Sequence, residues 1–198
     1  MQTIKTNNTF GKANLLKRVN VAALALFAGI TLSGSVFAHD HGDKEKVMVY
    51  EQAHSKVTWQ DYRDFTDVKP ANQSRKKFAE HTFKQLSKYL DKLAKDLPEG
   101  HKLQINVTDL DLAGHVLPAS FAGIGSVSND IRIIKQVHIP RIAFEYELVD
   151  ASGAVVKTDT VKLKDMNFIE RHNRLFRNEA LRYEKNMLKH WFESTLKG

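Results

Sequence analysis

Two carboxylates, Asp109 and Asp111, stand two residues apart, with His115 four residues further on. On a regular strand residues i and i+2 share a face. Such a pair could take a hard cation with His115 beside it, or act as an acid–base pair. The plainer reading of the same residues is a charged strand end at which Asp111 caps the turn at Gly114. A second constellation is His39-Asp40-His41. If the chain is cut after Ala38, the new amine, two backbone amide nitrogens and the His41 imidazole offer four nitrogens in a plane. That set suits Cu(II) or Ni(II) rather than tetrahedral zinc, and His39 adds a second imidazole. The alternative is a polar tail. A third cluster, Arg171, His172, Arg174, Arg177 and Arg182, could meet an anionic surface such as lipid headgroups or cell-wall polymer; the plainer reading, which is preferred, pairs its arginines with Glu170, Glu179 and Glu184. Nucleophilic chemistry has little to stand on. Ser120, Ser126 and Ser128 lie in a glycine-rich stretch without a Gly-x-Ser-x-Gly frame, and the chain has no His-Glu-x-x-His, phosphate-binding glycine loop or dinucleotide fingerprint. No residue is assigned a catalytic role.

The elements that must carry these residues are legible from periodicity. Leu103, Ile105 and Val107 alternate with polar residues, then Leu110 and Leu112 take the opposite parity, so a bulge is expected near Thr108 and Asp109. Ile142, Phe144, Tyr146 and Leu148 alternate in the same way. They sit in a strand read over residues 131–150 and broken at Pro140, which cannot donate to a ladder. Asp150-Ala-Ser-Gly153 is a turn, so residues 154–163 should return as a hairpin. Val57 and Trp59 define an earlier strand, and residues 47–50 a short β-prone piece. Between them and the 102–112 strand, Phe78, Phe83, Leu86, Leu90, Leu93 and Leu97 recur at helical spacing opposite a row of lysines, with Asn72 or Ser74 as cap and Pro98-Glu-Gly100 as stop. A last helix is expected over residues 179–196, with Trp191 and Phe192 in the core. The whole predicts an α+β domain: a two-layer sandwich with a mostly antiparallel four-stranded sheet and two helices on one face, in the order β-α-β-β-β-α. Its first crossover should be parallel and right-handed. Residues 114–129 read as an irregular loop whose apolar residues Val116, Leu117, Phe121 and Ile124 either form a partner surface, together with Arg171, Arg174 and Arg177, or fold back over the core.

The first 38 residues read as a signal peptide. Lys5, Lys12, Lys17 and Arg18 precede an apolar run over residues 19–30, and Val36-Phe-Ala38 fits a cleavage site. The run is shorter than the roughly 20 residues a spanning helix needs, so no transmembrane segment is expected after cleavage. Residues 39–46 read as a tail and residues 47–198 as one domain. The 198-residue chain carries +7 (30 Lys and Arg against 23 Asp and Glu). Four of those basic residues and no acidic ones belong to the leader, which leaves 26 against 23, or +3. A nucleic-acid partner is therefore not expected. The chain has no cysteine, which excludes disulfides, thiol nucleophiles and thiolate metal sites.

Several phrases occur together: Val57-Thr-Trp59, Leu97-Pro-Glu-Gly100, Thr108-Asp-Leu-Asp-Leu-Ala-Gly114, Asp130-Ile-Arg-Ile-Ile134, Pro140-Arg-Ile142, Leu163-Lys-Asp-Met166, Tyr183-Glu-Lys185 and Trp191-Phe192. In this order they resemble a family of exported bacterial proteins known as a domain of unknown function, across nearly all of residues 47–196. One departure is His138-Ile139, where the resemblance leads one to expect a tryptophan ahead of Pro140. The resemblance implies no activity and no catalytic residues. The expectation is therefore an exported, periplasmic, non-catalytic interaction module of the cell envelope, with a protein or an anionic envelope polymer as partner. The alternatives are a metal-handling protein with Cu or Ni at His39 and His41, and a small hydrolase using Asp109 and Asp111.

Overall fold

The computed structural model describes residues 47–123, 129–170, 176 and 178–197. The first strand, β1 (Met48–Glu51), pairs antiparallel with β2 (Ser55–Trp59). A helix, α1 (Arg75–Ala94), then crosses over to β3 (Lys102–Asp111), which runs parallel to β2 as the sequence predicts. Two short strands, β4 (His115–Pro118) and β5 (Asp130–Ile133), make a separate antiparallel pair. The chain then returns to the main sheet as β6 (Arg141–Val149) and β7 (Val155–Lys164) and ends in α2 (Arg182–Leu196). The main sheet has the order β1-β2-β3-β6-β7.

Alternation decides which face is covered. Val57, Trp59, Leu103, Ile105, Val107, Phe144 and Tyr146 are all buried toward the helices. Trp59 stacks on Phe83 of α1 at 4.2 Å between ring centroids, and its indole N–H donates to the Ser87 hydroxyl at 2.9 Å. The aromatic pair thus buries its area with its one polar atom satisfied. Trp191 of α2 meets Phe144 edge-on at 4.8 Å and Tyr146 at 5.3 Å. The expected bulge is present: the β3–β6 register shifts between Val107 and Asp109, and the buried parity moves from Val107 to Leu110. At the β6–β7 turn the Asp150 carboxylate accepts from the Ser152 amide (2.8 Å), the Ser152 hydroxyl (2.6 Å) and the Ala154 amide (3.0 Å).

Several expectations are corrected. The sheet has five strands and is mixed, because the β-prone piece at residues 48–51 finds the open edge of β2 and completes it. The stretch 131–150 is two strands in different sheets: residues 134–140 separate β5 from β6, and the Pro140 carbonyl accepts from the Asp165 amide at 3.2 Å. The stretch 114–129 is not wholly irregular, since its first residues form β4 on β5. Gly114, at φ +85°, turns the chain away from β3 there; a Cβ would stand 2.6 Å from the Ile133 carbonyl oxygen. Finally, α2 begins at Arg182, after Leu181 in a left-handed conformation (φ 58°). At the start of α1, Ser74 holds the cap position without a side-chain bond to the helix, and the Asn72 amide group donates instead to the Asp130 carbonyl at 2.8 Å.

Candidate functional site

The phrase Thr108–Gly114 lies where β3 leaves the main sheet, and its carboxylates are tied to different elements. Asp109 accepts from the Thr66 amide (2.7 Å) and the Thr66 hydroxyl (2.8 Å). Asp111 accepts from the Arg141 guanidinium at 2.5 Å. Burial pushes the Asp111 carboxyl above its ordinary value; Arg141 opposes that shift, and the negative charges of Asp67 and Asp109 add to it. Asp67 lies alongside the end of β3, where its amide donates to the Leu110 carbonyl (3.1 Å) and its carbonyl accepts from the Leu112 amide (3.2 Å). Its carboxylate takes the Arg132 guanidinium at 3.0 Å. Arg132 also donates to the carbonyls of Lys69 (2.8 Å), Gly114 (3.2 Å) and Ala113 (3.4 Å). Placed on β5, Arg132 is the clamp that fastens the β4–β5 arm to the domain. From the other side Glu184, 2 % exposed, accepts from the Ala113 amide at 2.8 Å. Burial is the largest influence on its carboxyl and pushes it up.

Beside this knot lies a cavity of about 630 Å³, whose walls include Phe78, Leu112, Ile134 and Leu181 together with Arg132 and Glu184. Leu181 forms its rim in the left-handed region, which for a residue with a Cβ costs about 1–2 kcal/mol. The first helical bond of α2, from the Lys185 amide to the Leu181 carbonyl at 2.9 Å, holds it there.

Of the residues singled out in the sequence, Asp109 and Asp111 come to the same end of β3 but are engaged separately. His115 stacks on His138, with ring centroids 5.3 Å apart. Asp109, Asp111 and His115 do not assemble as one ligand set: among the described residues no group of three His, Asp or Glu side chains could hold a metal ion. The bulge that fixes Leu110 in the core also sends the two carboxylates to Thr66 and Arg141. Val116 and Leu117 are half-buried in β4, while Phe121, just past it, is 82 % exposed. His39, His41, Ile124, Arg171, Arg174 and Arg177 lie outside the described residues, as do Ser126, Ser128 and residues 1–38.

Arg132, Asp67, Glu184 and His138 were not singled out from the sequence as site residues. A signal for two of them was there. Arg132 sits in the Asp130–Ile134 phrase and Glu184 in the Tyr183–Lys185 phrase, and both converge on Thr108–Gly114. The fold and its clamp define a small α+β domain, a mixed sheet covered by two helices and carrying a two-stranded arm. Residues 53–194 match the family described as protein of unknown function (DUF3016), and the chain belongs to that family. No curated protein and no solved structure matches the chain.

Proposed function

We propose that the chain is an exported, non-catalytic interaction module of the bacterial cell envelope, and that the β4–β5 arm is its contact element. The observation that carries this is Phe121. A phenylalanine is a residue normally found inside, yet this one stands 82 % exposed on a short helical turn at the end of β4. The strands behind it are anchored by Arg132. A large apolar side chain held out on an anchored arm is what a protein partner can bury. The acidic side chains that could have served chemistry nearby, Asp67, Asp109, Asp111 and Glu184, bind structural groups instead. The test is a photo-crosslinking residue placed at position 121 in cells, with position 158 on β7 as control. A discrete adduct at 121 alone is expected. Phe121→Ser should abolish capture of that partner and leave the melting temperature unchanged; a drop of several degrees would show that Phe121 serves the fold instead.

A second reading concerns the sequence His39-Asp40-His41. Cleavage after Ala38 would present an amine, two amide nitrogens and the His41 imidazole to Cu(II) or Ni(II). Titration of the mature protein with Cu(II) should give a square-planar visible band at one equivalent that is lost in His41→Ala. Binding that survives one residue added before His39 would rule that geometry out.

A further inference from the structure

Over residues 75–95 the only acidic side chains are Glu80 and Asp91. Asp91 is turned into the domain, where it accepts from the His54 amide (2.8 Å) and the Ser55 hydroxyl (3.3 Å). At 100° per residue, Lys77, Lys84, Lys88 and Lys95 fall within about 20° of one line along α1, a row about 27 Å long. All four are exposed. Four other lysines of the helical layer have carboxylate partners: Lys76 with Glu80, Lys185 with Glu179, Lys189 with Glu193, and Lys197 with Asp96. Among the described residues the lysines of the row have none. Protein surfaces ordinarily intersperse the two signs, and an uninterrupted row of one sign concentrates its field outward.

We propose that this lysine row docks the domain on an anionic lipid bilayer. Three features favour a bilayer over a discrete polyanion. The row is made of ammonium groups alone, point charges suited to a diffuse surface, and it lacks the guanidinium forks that grip single phosphates. Of the phenylalanine and tyrosine rings of α1, Phe83 and Tyr89 are buried and Phe78 packs half-buried against the core, so none stands out fully for stacking on a base or sugar. At one end, Val49, 52 % exposed, lines an open depression shared with Lys77 and Lys84, which places an apolar side chain beside the ammonium groups as interfacial binding requires.

The experiment is vesicle co-sedimentation of the mature protein. Phosphatidylcholine vesicles with about a quarter phosphatidylglycerol should pull the protein down at low salt and release it near 0.5 M salt. Vesicles of phosphatidylcholine alone should not bind it. Each lysine near such a surface raises partitioning roughly fivefold, so Lys84→Ala with Lys88→Ala should lower it about 25-fold. Lys162→Ala with Lys164→Ala on β7 changes net charge equally and should leave partitioning nearly intact. Equal losses in both pairs would mean that net charge alone is at work, and overturn the site. Failure to bind the anionic vesicles overturns it too, as does binding of polyphosphate without binding of vesicles. Should the first pair lower the melting temperature, Lys77→Gln with Lys95→Gln repeats the test from the ends of the row. Phe121→Ser should leave vesicle binding unchanged, so this proposal and the arm's role as a protein contact stand or fall separately.

Discussion

Arg132 and Glu184 are the residues on which the site turns, and both can be tested one side chain at a time. Arg132 neutralises Asp67, which is 7 % exposed, and satisfies three backbone carbonyls. Removing one partner of a largely buried pair leaves the other charge unpaired, at about 3–5 kcal/mol. Arg132→Met should therefore destabilise strongly in urea titration, and adding Asp67→Asn should recover part of the loss. A cost in Arg132→Met below about 1 kcal/mol would put the pair among ordinary surface bridges. Glu184 makes a prediction of opposite sign to the usual carboxylate. Its folded-state pKa is raised above its ordinary 4.5 by burial, so in the window above 4.5 the native state holds a proton that the unfolded state has released. Stability from this group is full below 4.5 and is lost as pH rises through the raised value. Glu184→Gln keeps an oxygen for the Ala113 amide and should flatten the decline of stability between mildly acid and neutral pH. Parallel curves for the two proteins would contradict that. Glu51, Asp150, Glu179 and Glu193 are lowered by lysine partners or by turn hydrogen bonds, and so act in the other direction, at more acid pH.

At the scale of elements the β4–β5 arm and the main sheet should behave differently. Two strands of four residues form no stable unit by themselves; the arm depends on Arg132, on the Asn72 bond to Asp130 and on the turn at Gly114. Hydrogen exchange should therefore find the amides of residues 115–117 and 130–133 opening locally, well before those of residues 103–107, which lie between β2 and β6. Equal protection in both would make the arm part of the global unit. Gly114→Ala should loosen the arm further, since it adds strain at φ +85° and a contact with the Ile133 carbonyl oxygen. The α1 layer is the contrasting case. Phe83 has no exposed surface and packs against Trp59, Tyr62 and Phe65, so Phe83→Ala should cost about 3–5 kcal/mol in chemical denaturation. A cost under about 1 kcal/mol would show that the core closes around the gap.

For the whole molecule the decisive quantity is where charge resides. Residues 1–38 hold four of the basic residues, and residues 39–198, at 26 basic against 23 acidic groups, are nearly balanced. Any affinity for anionic surfaces must then come from local arrangement. Among the described residues no helix is long and apolar enough to cross a membrane. Mass spectrometry of the protein recovered from cells should find a chain beginning at His39; an intact leader there would end both the export reading and the proposed copper or nickel geometry.

Local periodicity and backbone chemistry are properties of the sequence alone, and they settled much of this fold. The bulge near Thr108 and Asp109, the parallel crossover through α1, the hairpin at Asp150–Gly153 and the exposed lysine row were all legible, because each depends on residues close together in the chain or on a repeating spacing. The α+β class came from them. Partner choice across distance was decided only in three dimensions. Nothing local says that residues 115–118 prefer residues 130–133 to the main sheet, that Asp111 pairs with Arg141, or that Arg132 reaches Asp67, 65 positions away. An extended segment has free N–H and C=O groups along both edges and will satisfy them wherever a ladder is open. Which ladder is open is fixed only when the sheet has assembled and Gly114 has turned the chain out of it. The same holds for the carboxylates. Asp109 and Asp111 read as a pair by spacing, and tertiary structure assigned each a different partner, because satisfying a half-buried charge at once is worth more than holding two like charges together for a ligand.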